Sequence, residues 1–523
     1  MNIKRKDTDV VIIGSGLSGL MAAVQLAETH DVTLVTKTAL GSGNSERAQG
    51  GIAASYGEAV LSHKQDTLAA GYGHTNGRAA GEVIEKAASV MNTFMSWQTP
   101  FDRDEKREFL LAREGAHSCR RIFRAGGDAA GHYMMKQLKK NIPANLRVLE
   151  FFTAFDLVME DGRCAGVTGR DNRGECCVWT AGAVVVASGG CGRLFPVTSN
   201  APEASGDGLG MAFRAGAVLQ DMEFLQFHPT MLTGGGLVSE AVRGEGAVLV
   251  DEHGNRLMKG RHPLEDLAPR SVTARVVREA LKAGKEVFLD IRSIPRFEKE
   301  FPRITEQAER QRIDPEKGFL PVRPGAHFMM GGIAADAAGQ TSIKGLYAIG
   351  EAACSGMHGA NRLAGNSLLE AAAGAFLLAE RIAADPDVTT PRPLSLPVIQ
   401  GGRQAVLPER EELQEKMDAW CGIIRDRESL EWMKNWLGAY ESNIFTPAEA
   451  SLSLEQLEVK NMLTAAWMMT GASLLRQESR GAHIRRDIPE QRKEWTGAVI
   501  RCESGRFTVV HGVREEGYAA VSG

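Results

Sequence analysis

The chain has 523 residues, 43% of them apolar and 24% charged, with a formal net charge of −4. That length allows two or three domains with sizeable cores, and the near balance of charge gives no electrostatic reason to expect nucleic acid or an anionic membrane. No apolar stretch approaches the roughly eighteen residues of a bilayer span, and the eight cysteines are scattered without a C-x-x-C pair. They argue against a zinc or iron–sulfur site and fit a reducing cytoplasm. The N-terminus MNIKRKDTDVVIIGSG is basic and then apolar, but its apolar run is short and leads into glycines that the fold needs. No cleaved signal is therefore expected.

Residues 8–37 read as a βαβ unit. Val10, Val11, Ile12 and Ile13 form a buried strand, and Leu20, Ala23, Val24 and Ala27 recur at helical spacing. Val32, Leu34 and Val35 form the next strand. Between the first strand and the helix lies Gly14-Ser15-Gly16-Leu17-Ser18-Gly19, the G-x-G-x-x-G spacing of a dinucleotide cradle. Gly14 allows the tight turn, Gly16 the approach of a pyrophosphate, and Gly19 the close packing of helix on strand. The acidic residue expected at the end of the second strand to hold the adenosine ribose is absent. That position reads Val35-Thr36-Lys37, so Thr36 or Lys37 has to make a different contact.

The polar, glycine-rich stretch 41–53 follows; its position beside the cradle favours a loop that wraps the flavin end of a cofactor with backbone N–H groups over a plain flexible surface loop. Residues 80–98 and 129–140 read as helices, and 183–187 as a buried strand. Ser205-Gly206-Asp207-Gly208 opens another helix, with Asp207 either its N-cap or a cofactor contact. The segment 220–325, with prolines at 229, 263, 269, 295 and 302, reads as an inserted domain. The strand ending in Gly350-Glu351 then returns the chain to the nucleotide domain, here assigned to 1–219 and 326–390. A helix follows from about Ser367 to Ile382, and prolines at 386, 391, 393 and 397 mark a linker. Leu413, Met417, Trp420 and Ile424 on one stripe, and a helix over 455–476, make 400–523 a C-terminal helical bundle. The fold class is α/β with a Rossmann-like nucleotide domain, an inserted cap and this bundle.

Four polar clusters lie far apart in sequence: Gln226–His228–Thr230, Ser239–Glu240–Arg243 with Arg270 downstream, His327 before a double glycine, and Asn361–Arg362 with Asn366–Ser367. Singly, each has an ordinary structural explanation, since arginine usually pairs with a carboxylate and histidine before proline is a turn residue. Together, two arginines and two histidines suit a small dicarboxylate, bound bidentately by guanidinium and capped by imidazole.

At these residues the chain resembles the flavoprotein family of fumarate reductase and succinate dehydrogenase, and most closely its aspartate-oxidising members. The likeness rests on GSGLSGL, AQGGIA (48–53), REGAHS (113–118), SGDG (205–208), QFHPT (226–230), SEAVRGEG (239–246), LAPR (267–270), HFMMGGI (327–333), YAIGEAACSGMHGANRLAGNSLLE (347–370) and ESRGAHIRRD (478–487), in order. The resemblance implies FAD, with a cap closing over the isoalloxazine and a dicarboxylate between them. It implies cofactor contacts from Gly14, Ser15, Gly16, Leu17, Gly19, Lys37, Asn44, Ser45, Ala48, Gln49, Gly50, Gly51, Asp207, Glu351, Ser367 and Leu368. Succinate dehydrogenases link FAD covalently through a histidine at about the place of Asn44, so FAD is expected to be noncovalent here.

The resemblance further implies that Arg362, His228, His327 and Ser239 hold the carboxylates, that Arg270 shuttles a proton, and that Glu114 receives a substrate ammonium. No metal is implied. The expected reaction is oxidation of L-aspartate to iminoaspartate by hydride transfer to FAD. Reoxidation is by O2 or fumarate, at the head of NAD synthesis, with quinolinate synthase as the consumer of the product. The alternatives are a soluble fumarate reductase or succinate dehydrogenase flavoprotein subunit, favoured less because of Glu114, and a flavin-binding relay subunit with a dead site.

Overall fold

A computed structural model describes residues 4–389, 406–448 and 450–514. The linker prolines 391, 393 and 397 lie outside them. At its centre is a five-stranded, all-parallel sheet in the order Leu346–Ala348, Ala183–Val186, Val10–Ile13, Val32–Val35, Arg147–Leu149. Parallel sheets are covered on both faces, and the central strand shows how. Val10 and Ile12 enter one core with the helices Leu17–Leu26 and Asn366–Ala383, while Val11 and Ile13 enter the other with Leu209, Met462 and Met469. Four consecutive apolar residues are therefore all buried.

The segment expected to be inserted carries a four-stranded antiparallel sheet, Leu225–Leu232, Phe319–Met329, Val287–Asp290 and Val248–Asp251. It has its own core around Leu249, Val277, Leu289 and Phe301. The C-terminal region supplies the helices Arg410–Cys421, Arg427–Gly438 and Leu454–Leu475, the last opened by a Ser453–Gln456 capping box. It also adds strands: Val499–Glu503 pairs with Leu219–Gln220 and Arg506–Val510.

Local readings differ from the structure at three places. The single helix expected over 80–98 is two, Gly77–Glu85 and Ala87–Ser96. Lys86 tightens the turn by donating its N–H to Val83 rather than one residue further back. Ile424 lies beyond its helix in the short strand Ile424–Arg425. Asp207 is the first residue of its helix rather than the cap. Gly206 takes the cap position at φ +78°, a conformation that glycine adopts without steric cost, and this frees the Asp207 carboxylate for other partners.

Candidate active site

A cleft of about 590 Å³ runs from the glycine cradle to His327 and Arg362. Gly14, Ser15 and Gly16 line its floor, and Asn44, Ser45, Ala48 and Gln49 one wall. Lys37 and Asp207 stand at one end, and Glu351, Arg362, Ser367 and Leu368 towards the other. The segment 220–325 contributes Leu237, Arg303, Gln307 and Arg310. Leu17, Gly19, Gly50 and Gly51 stand behind this lining. Leu17 N–H donates to Ser45 Oγ (3.0 Å), tying the helix start to the loop. A Cβ on Gly19 would lie 2.0 Å from Gly14 O, and one on Gly51 2.3 Å from Phe123 O, so these two glycines serve close packing.

The cradle fits a dinucleotide. Gly14 sits at φ +112°, where a Cβ would come within 2.3 Å of Ala187 O. Gly16 caps the helix Leu17–Leu26 with extended backbone and no side chain, and the first turn carries no acidic group. The helix therefore presents N–H groups and its positive dipole end to an anion. Asn44, at the place of the linking histidine, has its amide committed: Nδ2 donates to Asn200 Oδ1 (3.0 Å) and Oδ1 accepts from Ala201 N–H (2.8 Å). Glu351 lies in the cleft wall, where burial raises its carboxyl to about 7 and Oε1 accepts from Met329 N–H at 2.9 Å.

The six dicarboxylate-site candidates come together from five regions of the chain. Gln226 joins the two arginines: its Oε1 accepts from Arg270 Nη1 (3.0 Å) and Arg362 Nη2 (3.3 Å). Its Nε2 donates to Arg362 O and to Asn361 Oδ1, each at 3.0 Å. The Arg362 guanidinium stacks 4.4 Å from the Phe328 ring centroid and donates from Nη1 to Ser367 Oγ (3.0 Å). Burial, then repulsion from Arg270, pushes it down to about 9. His228 and His327 meet edge to face at 5.0 Å.

Burial and the nearby arginines hold both imidazoles well below their ordinary range, so both are neutral. Thr230 N–H donates to His228 Nδ1 (3.3 Å), which leaves the proton on Nε2, ready to donate. Ser239 occupies the N-cap of the helix Glu240–Gly244, yet its hydroxyl caps nothing.

Glu114 is buried with its Oε2 4.0 Å from Arg270 Nη2. Burial, then the Glu240 carboxylate, raises its carboxyl to about 7, and the arginines only partly oppose this. Glu240 itself bonds Arg270 Nε (2.7 Å) and Arg243 Nη2 (3.1 Å). Burial works against its charge, but the two arginines outweigh that and hold its carboxyl below the usual range. Four buried polar atoms of the six candidates have no protein partner: Glu114 Oε1, His228 Nε2, Ser239 Oγ and Arg362 Nε. Each costs about 1–3 kcal/mol if left unsatisfied. Together they offer one acceptor, two donors and a hydroxyl to something polar.

The roles of Gln226 and Glu240 had no signal in the sequence beyond their place in polar blocks. Apart from Arg243, three residues on from Glu240, their partners are 30 to 136 residues away.

The FAD binding domain family matches residues 9–368, and the fumarate reductase flavoprotein C-terminal family matches 410–505. Among curated relatives, the L-aspartate oxidase of Bacillus subtilis (strain 168) is 43% identical, covering 94% of this chain and 93% of its own. That of Mesorhizobium japonicum is 40% identical, covering 92% and 91%. The chain belongs to the L-aspartate oxidase family. The family's wider fold is seen in E. coli quinol fumarate reductase FrdA, with TM-score 0.88 and 27% identity over 97% of both chains. Mycobacterium smegmatis Sdh1 has TM-score 0.81 and 30% identity, covering 97% of this chain and 94% of that one. The L-aspartate oxidase relatives thus match this chain nearly end to end, C-terminal helices included.

Proposed function

We propose that this protein oxidises L-aspartate to iminoaspartate on noncovalently held FAD. The observation that carries the reading is Glu114. A buried carboxylate beside the Arg270–Arg362 pair would repel succinate or fumarate, but it is complementary to a dicarboxylate that also bears an ammonium. Gly14, Gly16, Lys37, Asn44 and Glu351 in the cleft lining would hold FAD, which would supply the acceptor for a hydride from Cα and would be regenerated by O2, giving H2O2, or by fumarate, giving succinate.

The chain's own groups do the rest. Arg362, His228 Nε2, His327 and Ser239 Oγ grip the two carboxylates, which fixes Cα in one orientation and removes much of the entropic barrier. Glu114, with a proton affinity near neutrality, binds the ammonium and takes a proton from it, leaving the amine lone pair to assist departure of the hydride. Arg270, Glu240 and Arg243 form a buried arginine–glutamate–arginine chain. This supports Arg270 as proton donor when fumarate is the acceptor.

Iminoaspartate hydrolyses readily, so an enzyme that consumes it, quinolinate synthase on the route to NAD, is the expected partner. All eight cysteines are unpaired thiols, which supports a reducing compartment such as the cytoplasm. No helix among the described residues is long and apolar enough to cross a membrane. The test is anaerobic addition of L-aspartate to the FAD-loaded protein. Bleaching of the flavin is expected, while an unbleached flavin with turnover on succinate would favour a succinate dehydrogenase subunit instead.

A further inference from the structure

We infer that Glu458 and Asn461, on the C-terminal helix Leu454–Leu475, position the adenosine end of the FAD site in place of the missing strand-end carboxylate. The inference rests on FAD occupying the cleft. Lys37, at the end of the second strand, spends its three ammonium hydrogens on Asp207 Oδ2 (2.7 Å), Ser205 Oγ (2.9 Å) and Glu458 Oε1 (2.6 Å). The other Glu458 oxygen accepts from Arg410 Nη2 at 2.7 Å. Three residues along the same helix face, Asn461 Nδ2 donates to Asp207 Oδ1 at 3.0 Å.

Lys37 and Asp207 line the cleft, whereas Glu458 and Asn461 stand behind them. The two helix residues hold a flexible lysine and an aspartate in one geometry, and the Glu458 carboxylate lies between the cations of Lys37 and Arg410. In a cradle of the usual kind a carboxylate on the strand itself meets the ribose. Here the second strand ends in a cation, and the acids that orient it come from a helix start about 170 residues away and a C-terminal helix about 421 residues away. The C-terminal helix is then a working wall of the cofactor site, acting on Lys37 and Asp207 without touching the cofactor.

The experiment uses full-length protein freed of FAD and retitrated by flavin fluorescence, with ADP as competitor to report on the adenosine half alone. Melting of the apoprotein and succinate affinity of the FAD-saturated protein serve as controls. Glu458→Gln keeps the side-chain shape and removes the charge. It is expected to weaken FAD and ADP alike by about tenfold, with apoprotein melting and succinate affinity unchanged. Unchanged FAD affinity would overturn the inference. So would a loss of FAD affinity accompanied by lower apoprotein melting and weaker succinate binding, which marks a merely structural role. Should Glu458→Gln not fold, Asn461→Ser leaves the ion pairs intact and removes the donor to Asp207. A weaker FAD affinity is expected there too, and an unchanged one refutes the idea. These titrations contain no aspartate, so their failure is separate from failure of flavin bleaching.

Discussion

Substitution of Glu114 by glutamine bears most directly on substrate choice. In the ligand-free protein burial and Glu240 raise the Glu114 carboxyl to about 7, so near neutral pH it is partly protonated. Aspartate needs the ionised form for its ammonium, and apparent affinity scales with the competent fraction. With a value of about 7, that fraction goes from roughly 0.1 at pH 6 to roughly 0.9 at pH 8, so aspartate should bind about ninefold more tightly at the higher pH. Succinate, lacking the ammonium, favours the protonated carboxyl and should bind more weakly as pH rises through the same window.

Glu114→Gln removes a charge-assisted hydrogen bond of about 1.5–3 kcal/mol. Aspartate kcat/KM should fall about ten- to hundredfold or more, succinate affinity should hold or improve, and the opposed pH trends should vanish. Flavin difference spectra on titration with each ligand read both affinities. Parallel pH trends for the two ligands in the wild type, or an equal loss of both in the variant, would refute the assignment. The same shift has a sign for stability. Folded Glu114 titrates above its ordinary value of 4.5, so its contribution is complete below that value and is lost as pH rises through about 7, until aspartate restores a partner.

Arg362→Leu should lower dicarboxylate affinity at least a hundredfold, since a buried bidentate donor is lost, while flavin absorbance of the purified protein stays normal; unchanged succinate titrations would count against the site. Ser239→Ala deletes a buried hydroxyl without a protein partner, so thermal melting should be unchanged or slightly higher, yet succinate affinity should drop by about 1 kcal/mol, roughly fivefold. Gly14→Ala places a Cβ 2.3 Å from Ala187 O at a positive φ, so the purified protein should be colourless and fail to take up FAD. Glu223→Ala breaks the buried pair with Arg476 (2.6 Å), leaving that guanidinium with the Glu478 carboxylate (3.1 Å) and the Ala498 carbonyl (2.9 Å). Chemical denaturation should show a loss of about 3–5 kcal/mol.

The sequence alone determined those features whose physics is local. Four apolar residues followed by G-x-G-x-x-G and a helical stripe specify strand, turn and helix within one stretch, because turn geometry and side-chain periodicity act over a few residues. The glycine cradle and the pairing of Val10–Ile13 with Val32–Val35 were legible for that reason. The site candidates likewise lie inside unbroken motif blocks.

Tertiary structure decided what depends on distance. No glycine or proline near Lys86 announces the break between two helices, and no spacing rule joins Gln226 to both arginines. Lys37 looks like a departure from the dinucleotide pattern until the chain folds Asp207 and Glu458 onto it. The raised proton affinity of Glu114 has the same origin. It follows from low polarisability around the carboxyl and from Glu240 arriving 126 positions later in the chain. Burial and charge proximity are properties of the packed molecule and appear only once remote segments meet.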